Sequence, residues 1–206
     1  AREMMARGDW VVPTFNYELR TDKPILLYWL MMGAYSVFGV NEFAARFWSA
    51  VLGTGTVFTV YHIGALLFRP RVGLLGGMIM ATSLMFVVSS RAATPDCTLI
   101  FFSTLSMFLY LRAIAPHTGE DGPRWQADKN DNTATLGLDI SAVTPRTWTA
   151  TLPSFAAMGV AVLGKGPVGI VLPLGVLSLF VLVATWTPPA AAPVEGKINR
   201  LWAWLR

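Results

Sequence analysis

Charge is scarce in this 206-residue sequence. Asp, Glu, Lys and Arg make up 14% of it, against roughly 25% in an ordinary soluble domain. The few charges are also segregated: residues 47–68 carry none, residues 72–111 carry two, and residues 147–186 carry one. Such a chain cannot cover a water-facing surface evenly. Because hydrophobic residues reach 54% and the mean hydropathy is +0.51, disorder and a simple soluble enzyme are both excluded, and a polytopic membrane protein is indicated.

Cysteine and histidine are nearly absent as well. One cysteine, Cys97, excludes an intramolecular disulfide, and the two histidines, His62 and His117, have no partners at metal-ligand spacing. We therefore predict no metal site and no cofactor. The net charge of +4 does not indicate nucleic acid, because the basic residues flank apolar stretches instead of alternating with aromatic ones.

The apolar stretches predict an all-α fold, a polytopic transmembrane helical bundle with an interfacial juxtamembrane helix. A spanning helix needs roughly 20 residues. Residues 25–38 are too few, so we expect them to lie in the interface, with Tyr28 and Trp29 at head-group depth. Whether residues 147–163, which contain Pro153, span fully is left open. The predicted spans are residues 43–68, 73–90, 98–115, 147–163 and 168–186.

The polar segments complete the predicted organisation. A short helix over residues 1–7 ends at Gly8, and an ordered loop follows up to Asp22, which is placed to cap a helix that begins at Pro24. Because the chain begins in a helix-compatible segment, we expect it to be an internal piece of a longer protein. The predicted units are an outer-face loop with juxtamembrane helices (1–42), three spans (43–115), a polar cytoplasmic loop (116–146), two spans (147–187) and a cytoplasmic basic tail (188–206).

The positive-inside rule predicts the orientation of the bundle. Arg69 and Arg71 lie in the turn between the first two predicted spans, which places that turn in the cytoplasm. Alternation of the spans then brings Lys23, Asp96 and Lys165 to the outer face. This common face depends on residues 25–38 not crossing the membrane.

Charged residues next to spanning segments usually mark a site. Lys165 lies between two glycines, where backbone N–H groups can approach an anion. Together with Lys23 it suits a phosphate, and Arg91 offers a bidentate contact. Asp96 either orients a lysine, binds a sugar hydroxyl or only caps a helix that begins at Cys97. The alternative for both lysines and Arg91 is a role as head-group anchors.

An ordered set of short motifs resembles the GT-C class of integral-membrane glycosyltransferases, in particular the protein O-mannosyltransferase and aminoarabinose transferase branch. The set runs over nearly the whole chain except residues 116–146. Its members are residues 2–13, Asp22-Lys23-Pro24-Ile25, Tyr28-Trp29, Gly39, Glu42, Arg46, residues 91–96 with Leu99, and Gly164-Lys165-Gly166-Pro167.

The resemblance implies a cavity at the outer face of the plasma (inner) membrane, where a sugar passes from a polyprenyl-phosphate-linked donor to a lipid or protein acceptor. By this resemblance Lys23 and Lys165 bind the donor phosphate, and we expect Arg91 to add the bidentate contact described above. Asp96 supports catalysis, and the cavity is lined by Asp22 and Tyr28.

The resemblance also implies a principal catalytic carboxylate in an Asp-Glu pair shortly before the position of Ala1. Asp9 and Asp22 do not match that position. Two alternative functions are also compatible with the sequence. A transporter or flippase of a lipid-linked phosphate would bind the phosphate without cleaving a bond, and a scaffold subunit would not need these charges.

Overall fold

The structure is a computed structural model that describes residues 1–16, 18–19, 23–114 and 148–186. The predicted cytoplasmic loop and basic tail, and Asp22, lie outside these residues. The elements are α1 (Arg2–Arg7), β1 (Thr14–Phe15), β2 (Glu18–Leu19), α2 (Leu26–Phe38), α3 (Glu42–Leu67), α4 (Pro70–Thr82), α5 (Leu84–Arg91), α6 (Asp96–Ile114), α7 (Trp148–Lys165) and α8 (Val168–Trp186).

The predicted helical bundle is confirmed. Helix α3 packs against α2, α4, α5 and α6, and α6 packs in turn against α7 and α8. Two helices, α3 and α6, are each long and apolar enough to cross a membrane. Helices α7 and α8 have 18 and 19 residues and continue through Pro153 and Pro173. That these last two cross the membrane stays a prediction.

The predicted span over residues 73–90 is broken. Helices α4 and α5 meet at an angle of 65° and satisfy the length and hydropathy of a span only as a pair. Ser83 leaves the helical conformation (φ −63°, ψ 117°), and its N–H donates to the Met80 carbonyl. In an unbroken helix the Ser83 N–H would donate to the Ile79 carbonyl. Here the Thr82 hydroxyl donates to that carbonyl (3.2 Å). The side chain thus satisfies a backbone group that the break exposes.

The segment before α2 is more ordered than the predicted loop. Strands β1 and β2 form an antiparallel hairpin that pairs Thr14 with Leu19. The Glu3 carboxylate fixes this hairpin to α1, because it accepts hydrogen bonds from the Thr14 hydroxyl (2.7 Å) and from the Asn16 N–H (2.9 Å). An all-α prediction did not include these strands.

Hydrogen bonds also connect this segment to the juxtamembrane helix α2. The indole N–H of Trp29 donates to the Trp10 carbonyl (2.7 Å). The predicted end of α1 is confirmed, since Gly8 has a left-handed conformation (φ 67°) that glycine adopts without strain. The predicted start of α2 at Pro24 is wrong: the helix begins at Leu26, with Ile25 at its N-cap.

Helices α3 and α4 cross closely at two glycines. A Cβ on Gly73 would lie 2.4 Å from the Tyr61 carbonyl oxygen and 2.7 Å from the Ala65 nitrogen, and one on Gly64 would lie 2.7 Å from the Gly73 Cα. These are backbone atoms, so a side chain cannot be accommodated without separating the helices.

Gly73→Ala should therefore destabilise the protein by ~1–3 kcal/mol through overpacking. Gly76→Ala in the same helix is the matched control, since its Cβ would meet Val60 at an ordinary 3.7 Å, and it should gain up to about 1 kcal/mol in helix propensity. Thermal unfolding of the full-length protein in detergent measures both. A Gly73→Ala variant as stable as the Gly76→Ala variant would contradict the close crossing.

Asp9 makes the loop after α1 sensitive to pH. Its carboxylate accepts from the N–H groups of Val11 (2.9 Å) and Val12 (3.2 Å), and these bonds hold the pKa of Asp9 below its ordinary value. The local stabilisation is therefore complete above the ordinary pKa and is lost as the pH falls through the lowered one.

Hydrogen exchange at Val11 and Val12, corrected for intrinsic rates, should lose protection on acidification. Asp9→Asn should remove this pH dependence, because the amide oxygen still accepts hydrogen bonds but does not titrate. An unchanged acid response in that variant would refute the role of the Asp9 carboxylate.

Candidate functional site

Two solitary charges of the sequence meet in an ion pair. The Lys165 ammonium donates to a carboxylate oxygen of Asp96, across 69 positions of sequence. Asp96 is the first residue of α6 and Lys165 the last of α7. Each charge therefore has the sign that the dipole of its own helix favours at that end. The side chains are 39% and 43% exposed, so a ligand can reach both.

A tight helix contact brings the two charges together. Gly164 is buried against α6, where a Cβ would lie 3.1 Å from the Thr98 Cβ and 3.3 Å from its hydroxyl oxygen. Thr98 is itself 1% exposed, and its hydroxyl donates to the Pro95 carbonyl (2.6 Å). The absence of a side chain at Gly164 thus lets the end of α7 approach the start of α6.

Gly166 ends α7 rather than presenting its N–H to an anion. It has φ 79°, and its N–H donates to the Val162 carbonyl at 2.7 Å. This N–H is therefore used within the helix terminus, and the expectation that backbone N–H groups beside Lys165 approach an anion stays a prediction. The two glycines that flank Lys165 therefore have separate structural roles, packing at Gly164 and helix termination at Gly166.

The other predicted residues lie near the ends of neighbouring helices. Lys23 is exposed two residues before the N-cap of α2, and Arg91 is exposed in the last turn of α5. Within the described part of the chain neither forms an ion pair. Helix α2 contacts α7, the helix that ends in Lys165. Tyr28 is half-buried in α2, and its predicted place in a cavity stays a prediction.

Sequence reasoning missed Thr94. Its hydroxyl is buried and has no hydrogen-bond partner among the described residues, although it lies only two positions before Asp96. A threonine before a helix is ordinarily read as a cap, and nothing in the sequence signals an unsatisfied hydroxyl. Among the described residues no group of three His, Cys, Asp or Glu side chains is arranged to hold a metal ion.

Comparison with known proteins identifies a matching family model and several similar proteins. The family model for dolichyl-phosphate-mannose-protein mannosyltransferases matches residues 22–123. An uncharacterized protein of Aquifex aeolicus is 30% identical over 184 residues, which cover 89% of this chain and 31% of that protein. The undecaprenyl phosphate-alpha-4-amino-4-deoxy-L-arabinose arabinosyl transferase of Yersinia enterocolitica is 34% identical over 117 residues, which cover 55% of this chain and 21% of that enzyme.

Solved structures agree with these relatives. ArnT from Cupriavidus metallidurans, in its apo state and bound to undecaprenyl phosphate, matches with a TM-score of 0.70 and 27% identity over 88% of this chain. The match covers 29% of ArnT. The chain thus spans about a third or less of the length of the proteins that it resembles.

The packing at Gly164 predicts that a larger side chain there destabilises the α6–α7 contact, which brings Asp96 and Lys165 together. Gly164→Leu should lower the thermal stability of the full-length protein by ~1–3 kcal/mol, because the new side chain must displace Thr98. Gly159→Leu in the same helix is the control, since a Cβ there meets nothing within 4 Å. Equal stability of the two variants in thermal unfolding would show that the α6–α7 contact is not tight.

Proposed function

Because the chain belongs to the GT-C class of integral-membrane glycosyltransferases, of the mannosyltransferase and ArnT type, we propose that the whole protein transfers a sugar from a polyprenyl-phosphate-linked donor to a lipid or protein acceptor. The resemblance of the sequence to this family is confirmed, and so is the prediction of an integral inner-membrane protein. The observation that carries the proposal for this chain's own residues is the Asp96–Lys165 pair, which is accessible and fixed by helix packing.

The Lys165 ammonium has donors to spare for a phosphate. It carries three N–H groups, and Asp96 accepts one of them. Two therefore remain for phosphate oxygens, while the carboxylate fixes the position of the nitrogen. Asp96 acts in this proposal as a positioning residue, and Lys165 as the residue that contacts the donor.

Charge balance favours a departing lipid phosphate. When the sugar leaves, the phosphate becomes a monoester that carries about −1.5 to −2 at neutral pH. Lys23, Arg91 and Lys165 with Asp96 amount to three cations and one carboxylate, a net of two positive charges. Groups of this kind stabilise charge that develops as the bond breaks. Lys23 would approach the phosphate from the segment just before α2, and Arg91 from the end of α5.

The proposed reaction inverts the sugar. A nucleophilic oxygen or nitrogen of the acceptor attacks the anomeric carbon, and the bond to the phosphate oxygen breaks on the opposite side. The acceptor proton goes to a carboxylate of the whole protein that acts as the general base. The proposed site faces outside, which is supported by Arg69 and Arg71 at the start of α4 and by the positive-inside rule.

Removing the Lys165 ammonium should reduce transfer sharply. Lys165→Ala in the full-length protein is expected to lower the rate of sugar transfer by roughly 100-fold or more, as for loss of one transition-state donor, without loss of membrane insertion. Arg112→Ala, which removes an exposed cation from the last turn of α6, is the control and should leave transfer unchanged. Wild-type activity in the Lys165→Ala variant would refute the assignment.

The fate of a labelled donor separates a transferase from a transporter. Incubation of the full-length protein with a polyprenyl-phosphate sugar and a membrane extract as acceptor source should release free polyprenyl phosphate. Recovery of the donor intact, but moved to the other leaflet, would favour the transporter instead.

A further inference from the structure

Helix α5 is a short element that carries a predicted phosphate ligand, Arg91. It has eight residues, and Arg91 is the last of them. The break at Ser83 turns α5 by 65° relative to α4, so the hydrogen-bond ladder of α4 does not continue into it. The orientation of α5 is therefore set by its contacts with other helices, and these contacts also determine where Arg91 lies.

The closest of these contacts is with α3, at Gly53. Gly53 is buried, and a Cβ there would lie 2.6 Å from the Ser90 Oγ and 2.7 Å from the Ser90 Cβ. Rotation of the Ser90 hydroxyl would relieve the first of these contacts but not the second, because the Cβ is bonded directly to the backbone. A side chain at Gly53 would thus push the end of α5 away from α3.

A second contact holds the same end of α5 to α6. Cys97 is 2% exposed, and its thiol donates to the Ser89 carbonyl (2.9 Å). That carbonyl also accepts from the N–H of Ala92 (3.3 Å), the residue that follows the helix. Since Cys97 comes directly after Asp96 in α6, the last turn of α5 is held beside the start of the helix that carries Asp96.

These two contacts fix the backbone before Arg91 and leave its side chain available. Ser89 and Ser90 are held by α6 and α3, and Arg91 is the next residue. Arg91 is exposed and forms no ion pair within the described part of the chain. A guanidinium binds a phosphate through two parallel hydrogen bonds, a geometry that tolerates little displacement. The position of α5 should therefore decide whether Arg91 reaches that geometry.

We propose that Gly53 is a positioning residue for the donor phosphate. Because it has no side chain, the end of α5 can pack against α3 at Ser90, and this packing places Arg91 for a bidentate contact with the phosphate. Cys97 supports the same position from α6. The proposal rests on the proposed function, since it takes the donor phosphate as the ligand of Arg91.

A purely structural role for Gly53 makes a different prediction. Overpacking at a helix contact lowers stability whatever the function of the protein. If Gly53 acts on the donor through Arg91, however, its substitution weakens phosphate binding only while the Arg91 guanidinium is present. Energetic coupling between the two residues thus separates positioning from packing.

Equilibrium binding of polyprenyl phosphate to the full-length protein measures this coupling. Arg91→Met should lower the affinity about tenfold, the effect of losing one charge-assisted hydrogen bond. Gly53→Ala should lower it by about threefold to tenfold, because the guanidinium is displaced rather than removed. In the Arg91→Met background, Gly53→Ala should change the affinity by less than about twofold. An equal loss in both backgrounds would overturn the proposal.

Gly64→Ala is the matched control. It adds the same methyl group to the same helix, where its Cβ would lie 2.7 Å from the Gly73 Cα and would crowd α4 instead of α5. It should reduce stability but leave the affinity for polyprenyl phosphate unchanged. A loss of affinity as large as that of Gly53→Ala would show that overpacking in general is the cause, and it would refute positioning through α5.

Substitutions at Ser90 give a test by rescue. Ser90→Gly removes both atoms that a Cβ at residue 53 would meet most closely, so it should restore most of the affinity lost in the Gly53→Ala variant. Ser90→Ala keeps its Cβ and should restore little. A Gly53→Ala protein that Ser90→Gly does not improve, or that Ser90→Ala improves equally, would contradict this contact as the cause.

Labelling of Cys97 separates failure of this proposal from failure of the proposed function. Its buried thiol contacts α5, so Gly53→Ala, but not Gly64→Ala, should raise its rate of reaction with N-ethylmaleimide several-fold, as measured by peptide mass spectrometry. If the rate does not rise while Arg91→Met still weakens binding, the proposed function stands and Gly53 does not position α5. If Arg91→Met binds polyprenyl phosphate like the wild-type protein, the assignment of Arg91 to the donor is wrong, and the proposal fails with it.

Discussion

The contact between the end of α7 and the start of α6 is the constraint on which the candidate site depends. Gly164 rests against the buried side chain of Thr98, and this packing places Lys165 beside Asp96. The ion pair itself is too exposed to hold the helices together, since surface pairs contribute at most about 1 kcal/mol. Packing therefore positions the charges, and the charges remain available to a ligand.

The helices were predictable because a membrane imposes simple rules. Apolar stretches of the right length gave α3, α6, α7 and α8 with nearly the observed bounds. The break at Ser83 was not predictable, because neither proline nor glycine marks it and its local solution is a hydroxyl that bonds to the carbonyls of its own helix. The hairpin at Thr14–Leu19 was also missed. Its anchoring depends on Glu3, whose partners are more than ten residues away.

The sequence singled out the charges that form the Asp96–Lys165 pair, but it left the partner of each charge open. Asp96 and Lys165 were found because solitary charges in apolar surroundings are costly and tend to be retained for a purpose. The predicted topology placed both residues at one membrane face, with orientation of a lysine as one of three roles for Asp96. Which lysine Asp96 meets depends on packing between helices that are far apart in the sequence, and no local pattern encodes that contact. The glycines beside Lys165 were expected to let backbone N–H groups approach an anion, whereas Gly164 packs against α6 and the Gly166 N–H donates to the Val162 carbonyl. Lys23 and Arg91 remain candidates whose partner would be the donor phosphate itself.

Binding of polyprenyl phosphate to the full-length protein tests the central claim most directly, because it isolates the phosphate contact from the chemistry of transfer. Equilibrium binding of the lipid to the wild-type protein and to a Lys165→Met variant, which keeps the apolar stem, measures this contact. The account predicts affinity at least about tenfold lower in the variant, from the loss of a charge-assisted hydrogen bond. Equal affinity, with both proteins folded, would contradict it.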